Sequence, residues 1–184
     1  MSLMTTRSGA RFDLRNPVPA DISKWDISMS LSRICRYNGH TLRHYSVAEH
    51  CCLLAMWFRE AGQPRLALLA LLHDAHEAYV SDLPWPVKAC LSDAARAEFA
   101  ALETGIDAAI YAHFGVTPPT EDERAAVKRA DLRIVRDEMT MLFPGVEIPW
   151  GDMLPLGVAI PRYRDGGADV PTWLGALRDL GGES

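Results

Sequence analysis

The sequence predicts an all-α domain of about five to seven helices, because several long segments repeat apolar residues at steps of three and four. Pairs of proline and glycine separate these segments, and serine or threonine stands at several of their starts, as helix N-caps do. Hydrophobic residues make up 48% and charged residues 23% of the 184 residues, which is typical of one globular domain.

The predicted elements follow one another without an internal repeat or a second domain. In chain order they are a strand over 11–14, a helix from 26–28 to about 37, helices over 45–58, 65–78, 92–113 and 121–143, a strand over 158–160 and a short helix near 172–180. Asp26 or Ser28 is the expected cap of the first helix, and Ser46 that of the second. Thr120 and Glu123 have the spacing of a capping box.

Prolines decide several of these boundaries. Pro64 suits the first turn of the helix over 65–78, because that turn leaves its N–H groups without helical partners. Pro84 and Pro86 predict a loop across the Asp82 segment, because a proline inside a helix removes a hydrogen bond. The proline-rich terminal segments are expected to wrap around the helices and to contribute one short β-hairpin.

Charge and cysteine content exclude some classes of protein. The net charge is −5 and no basic block occurs, which argues against a surface for duplex nucleic acid. No apolar run approaches the ~20 residues of a membrane span, and the start lacks the apolar stretch of a signal peptide. The four cysteines contain no C-x-x-C pair, so we expect reduced thiols and a cytoplasmic location.

Metal-binding side chains stand on the apolar faces of three predicted helices. His50 lies on the apolar face of one, His73-Asp74 on that of the next, and Asp131 among aliphatic residues of a third. A buried polar group without a partner costs about 1–3 kcal/mol, and a metal ion can supply the missing partner. Two imidazoles and two carboxylates make a first set of ligands for a divalent metal, with positions left for water. A His-Asp hydrogen bond at a helix end is the simpler alternative.

The order His50, His73-Asp74, Asp131 resembles the H…HD…D signature of the HD-domain metal-dependent phosphohydrolases. Three further segments are similar to the H-D-x-x-E, D-L-P-x-P-V-K and K-x-A-D motifs of the 5′-deoxynucleotidase branch: His73 to Glu77, Asp82 to Lys88, and Lys128 to Asp131. Residues 30–40 also resemble small bacterial and phage HD proteins. The resemblance covers about residues 28–145 and implies one HD-type domain over 1–184, with wrapping segments at both ends.

The resemblance implies a phosphohydrolase that acts on a small nucleotide and uses one divalent metal ion. Imidazole with carboxylate suits Mn, Fe, Co or Ni better than Mg, and Zn is an alternative. The expected reaction removes phosphate from (deoxy)nucleoside 5′-monophosphates, and a dNTP triphosphohydrolase on the same scaffold is the alternative. A metal- or nucleotide-binding sensor without activity is a third reading, against which Glu77 argues. A homodimer or a higher homo-oligomer is expected.

The remaining site residues are assigned by the same resemblance. Glu77 would activate water, unless it is an ordinary solvated helix glutamate. Asp82 would assist the leaving oxygen, unless it only forms a turn. Arg36 would bind the phosphate, but the spacing departs from the family by one residue and Arg33 is an equal candidate. Lys88 and Lys128 are secondary candidates for phosphate binding, unless they are ordinary surface lysines.

Overall fold

The structure is a computed structural model that describes residues 2–147, 153–162 and 166–182. Its α-helices are α1 Lys24–Leu31, α2 Val47–Glu60, α3 Pro64–Leu72, α4 Glu77–Val80, α5 Trp85–Cys90, α6 Asp93–His113, α7 Glu121–Leu142 and α8 Asp169–Asp179. Two strands, β1 Leu3–Thr5 and β2 Arg11–Asp13, form one antiparallel hairpin. The predicted all-α bundle with a short hairpin is confirmed, although both strands belong to the N-terminal segment.

The core is centred on α2 and α3, which pack along each other. α8 lies against α1 and α2, and α7 crosses both central helices. Trp173 of α8, Leu54 of α2, Leu71 of α3 and Ile134 of α7 are all fully buried. Each such side chain contributes about 1.5–3 kcal/mol when it leaves water, so the three helices that carry the predicted ligands are held together by their apolar faces.

Three predicted helix starts are confirmed. The Ser46 hydroxyl accepts a hydrogen bond from Glu49 N–H at 3.0 Å at the start of α2. Thr120 and Glu123 form a complete capping box at the start of α7. Pro64 occupies the first turn of α3. These caps satisfy N–H groups that a helix start leaves unbonded, and they fix where each helix begins.

The first helix begins earlier than predicted. Ser23, and neither Asp26 nor Ser28, caps α1 by accepting a hydrogen bond from Asp26 N–H. The Asp26 carboxylate accepts bonds from the N–H and hydroxyl of Ser8 at 2.9 and 2.7 Å, so it fastens the hairpin turn to α1. A long-range partner therefore replaces the local role predicted for Asp26.

The same helix also ends earlier, at Leu31 instead of about Tyr37. Cys35 forms an isolated antiparallel bridge with Ser46, and Arg36 N–H donates to Tyr45 O at 2.9 Å. Because this bridge needs an extended backbone, the chain leaves the helical path before it reaches Arg36.

The predicted helix over 65–78 is interrupted by a turn over 73–76. His73 Nδ1 lies 2.7 Å from Ala70 O and donates to it, so the side chain forms a hydrogen bond with a carbonyl near the end of α3. The backbone bonds of the turn reach three residues back instead of four, as in a tightened helix end. The turn contains the predicted ligands His73 and Asp74, and Glu77 begins the next helix, α4.

The loop predicted across the Asp82 segment is confirmed over 81–84 but wrong beyond it, because α5 spans Trp85–Cys90. Pro86 lies in the first turn of α5, where its missing N–H costs no helical bond. Lys88 N–H donates to Pro84 O at 3.0 Å, so the chain turns into a helix directly after Pro84.

The predicted strand over 158–160 is also wrong, since the described stretch 153–162 contains no strand. The N–H groups of Leu156 and Gly157 donate to the Asp137 carboxylate of α7 at 2.9–3.3 Å. The segment thus packs on a helix, where Leu156 and Ile160 are buried without a strand partner. The last helix, α8, begins a little earlier than the predicted 172.

Among the described residues, no helix combines the length and the apolar character needed to cross a membrane.

Candidate metal centre

The structure brings the four predicted ligands together between α2, the turn after α3, and α7. His50 Nε2 lies 3.8 Å from Asp74 Oδ2 and 3.3 Å from Asp131 Oδ1. His73 Nε2 lies 3.2 Å from the same Asp74 oxygen and 3.9 Å from the same Asp131 oxygen. His50, His73 and Asp74 alone offer three ligand atoms close enough to hold one metal ion.

Both imidazoles direct Nε2 toward the point where the four predicted ligands meet. His50 Nδ1 lies 2.6 Å from Glu138 Oε1, and His73 Nδ1 lies 2.7 Å from Ala70 O. Carbonyl and carboxylate oxygens only accept, so each Nδ1 donates and each Nε2 is left facing the site. Both Nε2 atoms are buried and make no hydrogen bond within the described part of the chain. A divalent ion would satisfy both, so the residues present fit a metal site.

The electrostatics of the cluster favour positive charge. Burial is the largest single effect and disfavours imidazolium at His73, but the Asp74 carboxylate and Cys51 together outweigh it and raise the His73 pKa well above its ordinary value. Burial likewise opposes the charge of Asp74 and Asp131, yet the two histidines lower the pKa of both carboxyls far below the usual range. Two ionised carboxylates with two imidazoles are donors that first-row divalent metals accept.

Arg36 lies beside this cluster. Its guanidinium is 3.5 Å from Asp74 Oδ2 and 3.5 Å from Glu138 Oε2, and its buried Nε has no hydrogen-bond partner within the part of the chain that the structure describes. The next two residues, Tyr37 and Asn38, have φ values of 56° and 51°, in the left-handed region that a tyrosine rarely adopts. The arginine therefore stands on a strained turn, with a donor free to bind an anion.

A cavity of about 1220 Å³ opens from the cluster, and its wall includes His73, Asp74, Asp131, Arg36, Glu77 and Asp82. Glu77 is buried, and no described residue forms a hydrogen bond with its Oε2. Burial, with Asp74 and Asp82 nearby, raises the Glu77 pKa well above its ordinary value. Burial and then the Asp74 charge raise the pKa of Asp82, although Arg36 acts in the opposite direction.

The other predicted phosphate ligands differ in position. Arg33 is exposed and does not line the cavity, so the structure separates it from Arg36. Lys88 lines the cavity, but its Nζ bonds Glu103 at 2.8 Å. Lys128 also lines it and bonds Asp131 Oδ2 at 2.7 Å, so this lysine supports a predicted ligand.

Sequence reasoning missed Glu138 and the partner of His76. Glu138 continues the spacing of Val127, Asp131 and Ile134 on the inner face of α7, and this signal could have identified it. His76 Nδ1 lies 2.9 Å from Asp107 of α6. This contact joins distant segments, so no local sequence pattern predicts it.

Burial opposes a charge at Glu138, but Arg36 and His50 outweigh it and lower the Glu138 pKa to about 2. Glu138 is therefore an ionised carboxylate with no exposed surface, held among cationic and donor groups. Removing such a charge leaves its partners uncompensated, so it belongs to the frame of the site.

Relatives of this chain are found in two bacteria. The uncharacterized protein YfdR of Escherichia coli is 38% identical over 138 residues, which cover 75% of this chain and 71% of YfdR. The chain belongs to the family of YfdR. An uncharacterized protein of Rhodobacter capsulatus is 38% identical over 131 residues, which cover 67% of this chain and 64% of that protein. No family model matches the chain.

Proposed function

We propose that this protein is an HD-type, metal-dependent phosphohydrolase that removes phosphate from (deoxy)nucleoside 5′-monophosphates. The observation that carries the proposal is the convergence of two unbonded imidazole Nε2 atoms and two carboxylates at the wall of one cavity. The order of these residues along the chain resembles the HD signature. When bound, a divalent ion polarises a phosphate oxygen and lowers the pKa of a water molecule that it holds.

Glu77 is the residue that we assign to proton abstraction. Glu77 lines the cavity, and its buried Oε2 has no hydrogen-bond partner among the described residues. Its raised pKa gives the ionised carboxylate a higher affinity for a proton than that of an exposed glutamate. It takes a proton from the attacking water while the water oxygen bonds to phosphorus. A sensor that only binds a nucleotide would not need an unbonded carboxylate here, so Glu77 favours an enzyme.

Arg36 and Asp82 complete the reaction. Arg36 lines the cavity, and its guanidinium binds phosphate oxygens and offsets their charge. Asp82, whose pKa is raised, donates a proton to the sugar oxygen as the bond between that oxygen and phosphorus breaks. The products are a nucleoside and inorganic phosphate.

A screen of nucleotides tests this proposal. Protein stripped with EDTA and reloaded with Mn²⁺ or Co²⁺ is expected to release inorganic phosphate from dNMPs and to leave a nucleoside. Tripolyphosphate released from dATP, with dNMPs untouched, would instead establish the triphosphohydrolase alternative. Binding of nucleotides without any product would establish the sensor.

Glu77→Gln supplies the matched control for the screen. The amide keeps the shape of the side chain but cannot accept the proton of water, so we expect kcat to fall by at least ~10²-fold. The metal content, measured by elemental analysis, should stay near one ion per chain. Full activity in a metal-loaded Glu77→Gln protein would remove Glu77 from the mechanism.

A further inference from the structure

Glu138 contacts both halves of the site through its two carboxylate oxygens. Oε1 lies 2.6 Å from His50 Nδ1 and 2.8 Å from the Tyr45 hydroxyl. Oε2 accepts a hydrogen bond from the Tyr37 hydroxyl and lies 3.5 Å from the Arg36 guanidinium. A carboxylate has about four acceptor positions, so three of them take hydrogen bonds, and Oε2 also faces the guanidinium charge.

The Oε1 side decides which nitrogen His50 offers to the site. A neutral imidazole carries one proton, and the contact with Glu138 places that proton on Nδ1. The lone pair is then on Nε2, which faces Asp131 Oδ1 at 3.3 Å. In metal sites, a carboxylate behind a histidine ligand fixes both its tautomer and the angle of its ring.

The Oε2 side holds the strained turn that carries Arg36. Tyr37 has φ 56°, and its hydroxyl reaches α7 to bond Glu138. Burial and the nearby Glu138 charge raise the pKa of Tyr37 and Tyr45, so both hydroxyls keep their protons and donate. A turn with this backbone persists only where its surroundings hold it, and the bond to Glu138 is one such anchor.

We propose that Glu138 is a positioning residue that holds His50 in its ligand tautomer and couples it to the Arg36–Tyr37 turn. Glu138 is fully buried and is not among the described residues that line the cavity, so it acts through His50 on one side and through Arg36 on the other. The inference rests on the proposed function, because it treats His50 as a metal ligand and Arg36 as an anion ligand. Beyond the proposed function, it assigns to one carboxylate, Glu138, the positioning of both His50 and Arg36.

Glu138→Gln in the full chain is the main test. An amide presents a donor at one end, so it loses either the His50 side or the Arg36 side of the arrangement. We expect the dissociation constant for Co²⁺, measured by calorimetry, to rise 10–100-fold, or that for inorganic phosphate on the cobalt-loaded protein to rise at least ~10-fold. If Glu138→Gln does not fold, Glu138→Asp is the second variant, because it keeps the charge but withdraws it from His50. We expect its dissociation constant for Co²⁺ to rise ~10-fold.

Two tyrosine variants separate the two sides. Tyr45→Phe removes a hydrogen bond to the same Glu138 oxygen but leaves the carboxylate and its contact with His50 in place, so both dissociation constants should change less than in Glu138→Gln. Tyr37→Phe should weaken phosphate binding at least ~3-fold and leave the Co²⁺ constant unchanged. Long-range ¹H–¹⁵N correlations of the Zn²⁺-loaded protein should show a proton on His50 Nδ1 in wild type and Tyr45→Phe.

The outcomes are distinguishable. A wild-type protein that binds no cobalt overturns the proposed function together with this inference. If wild type binds cobalt and both Glu138 variants bind cobalt and phosphate equally well, the inference alone is overturned. Unchanged phosphate binding in Tyr37→Phe overturns the coupling to Arg36.

Discussion

At the scale of the residue, the site consists of groups that a core does not tolerate alone. His50 and Glu138 are fully buried, and Asp131 is nearly so. A buried charge costs several kcal/mol unless a partner offsets it, which is why polar residues on apolar helix faces could be recognised from the sequence. Glu138 obeys the same rule, but the acidic and basic residues around it in α7 hid it among solvated charges.

Arg36 and Arg33 provide a matched pair at this scale. Arg36 lines the cavity and Arg33 is exposed outside it, although both were candidates from sequence spacing. Arg36→Ala should raise the KM for a dNMP at least ~10-fold, because a charge-assisted bond to phosphate contributes about 1.5–3 kcal/mol. Arg33→Ala should change KM less than ~2-fold, as measured by phosphate release. Equal effects of the two substitutions would contradict the assignment of Arg36.

At the scale of the element, the sequence predicted helices well where local signals act alone. The caps at Ser46 and Thr120 depend on neighbours three residues away, and both are confirmed. The interruption at His73 and the early end of α1 depend on a side-chain bond and on a bridge to a later segment. Such tertiary contacts override propensity, so the periodicity of the sequence could not reveal them.

The N-terminal hairpin is an element whose role can be measured. Phe12 is fully buried, and its ring stacks on Tyr79 of α4 with centroids 4.0 Å apart. Since α4 also carries Glu77, the hairpin supports the element behind the proposed base. Phe12→Ala should lower the free energy of unfolding by about 3–5 kcal/mol in urea titrations.

Leu3, on the partner strand, is 40% exposed and serves as the control for Phe12. Leu3→Ala should change the free energy of unfolding by less than about 0.5 kcal/mol. A loss below about 1 kcal/mol for Phe12→Ala would show that the hairpin packs only loosely on α4.

At the scale of the whole molecule, the candidate metal centre joins segments that are distant in sequence. His50 lies on α2, Asp74 in the turn after α3, and Asp131 on α7. The family resemblance indicated which residues share the site, but distances and hydrogen-bond partners required the packing. The contact between His50 and Glu138 spans 88 positions, so no local pattern in the sequence could have predicted it.

Because the centre ties three helices together, metal binding should stabilise the whole fold. An ion that binds only the folded chain adds about 2.7 kcal/mol at a concentration 100 times its dissociation constant. For a chain of this length that corresponds to a rise of roughly 5–11 °C in the unfolding midpoint, which scanning calorimetry with Co²⁺ or Mn²⁺ would show. EDTA should reverse the rise, and Mg²⁺ should produce a smaller one because it prefers oxygen ligands.

Asp74→Asn, which removes a charged ligand at constant shape, should abolish the response. If none of the three ions raises the unfolding midpoint of the wild type, a metal centre at this position is contradicted. An equal rise in Asp74→Asn would contradict it as well.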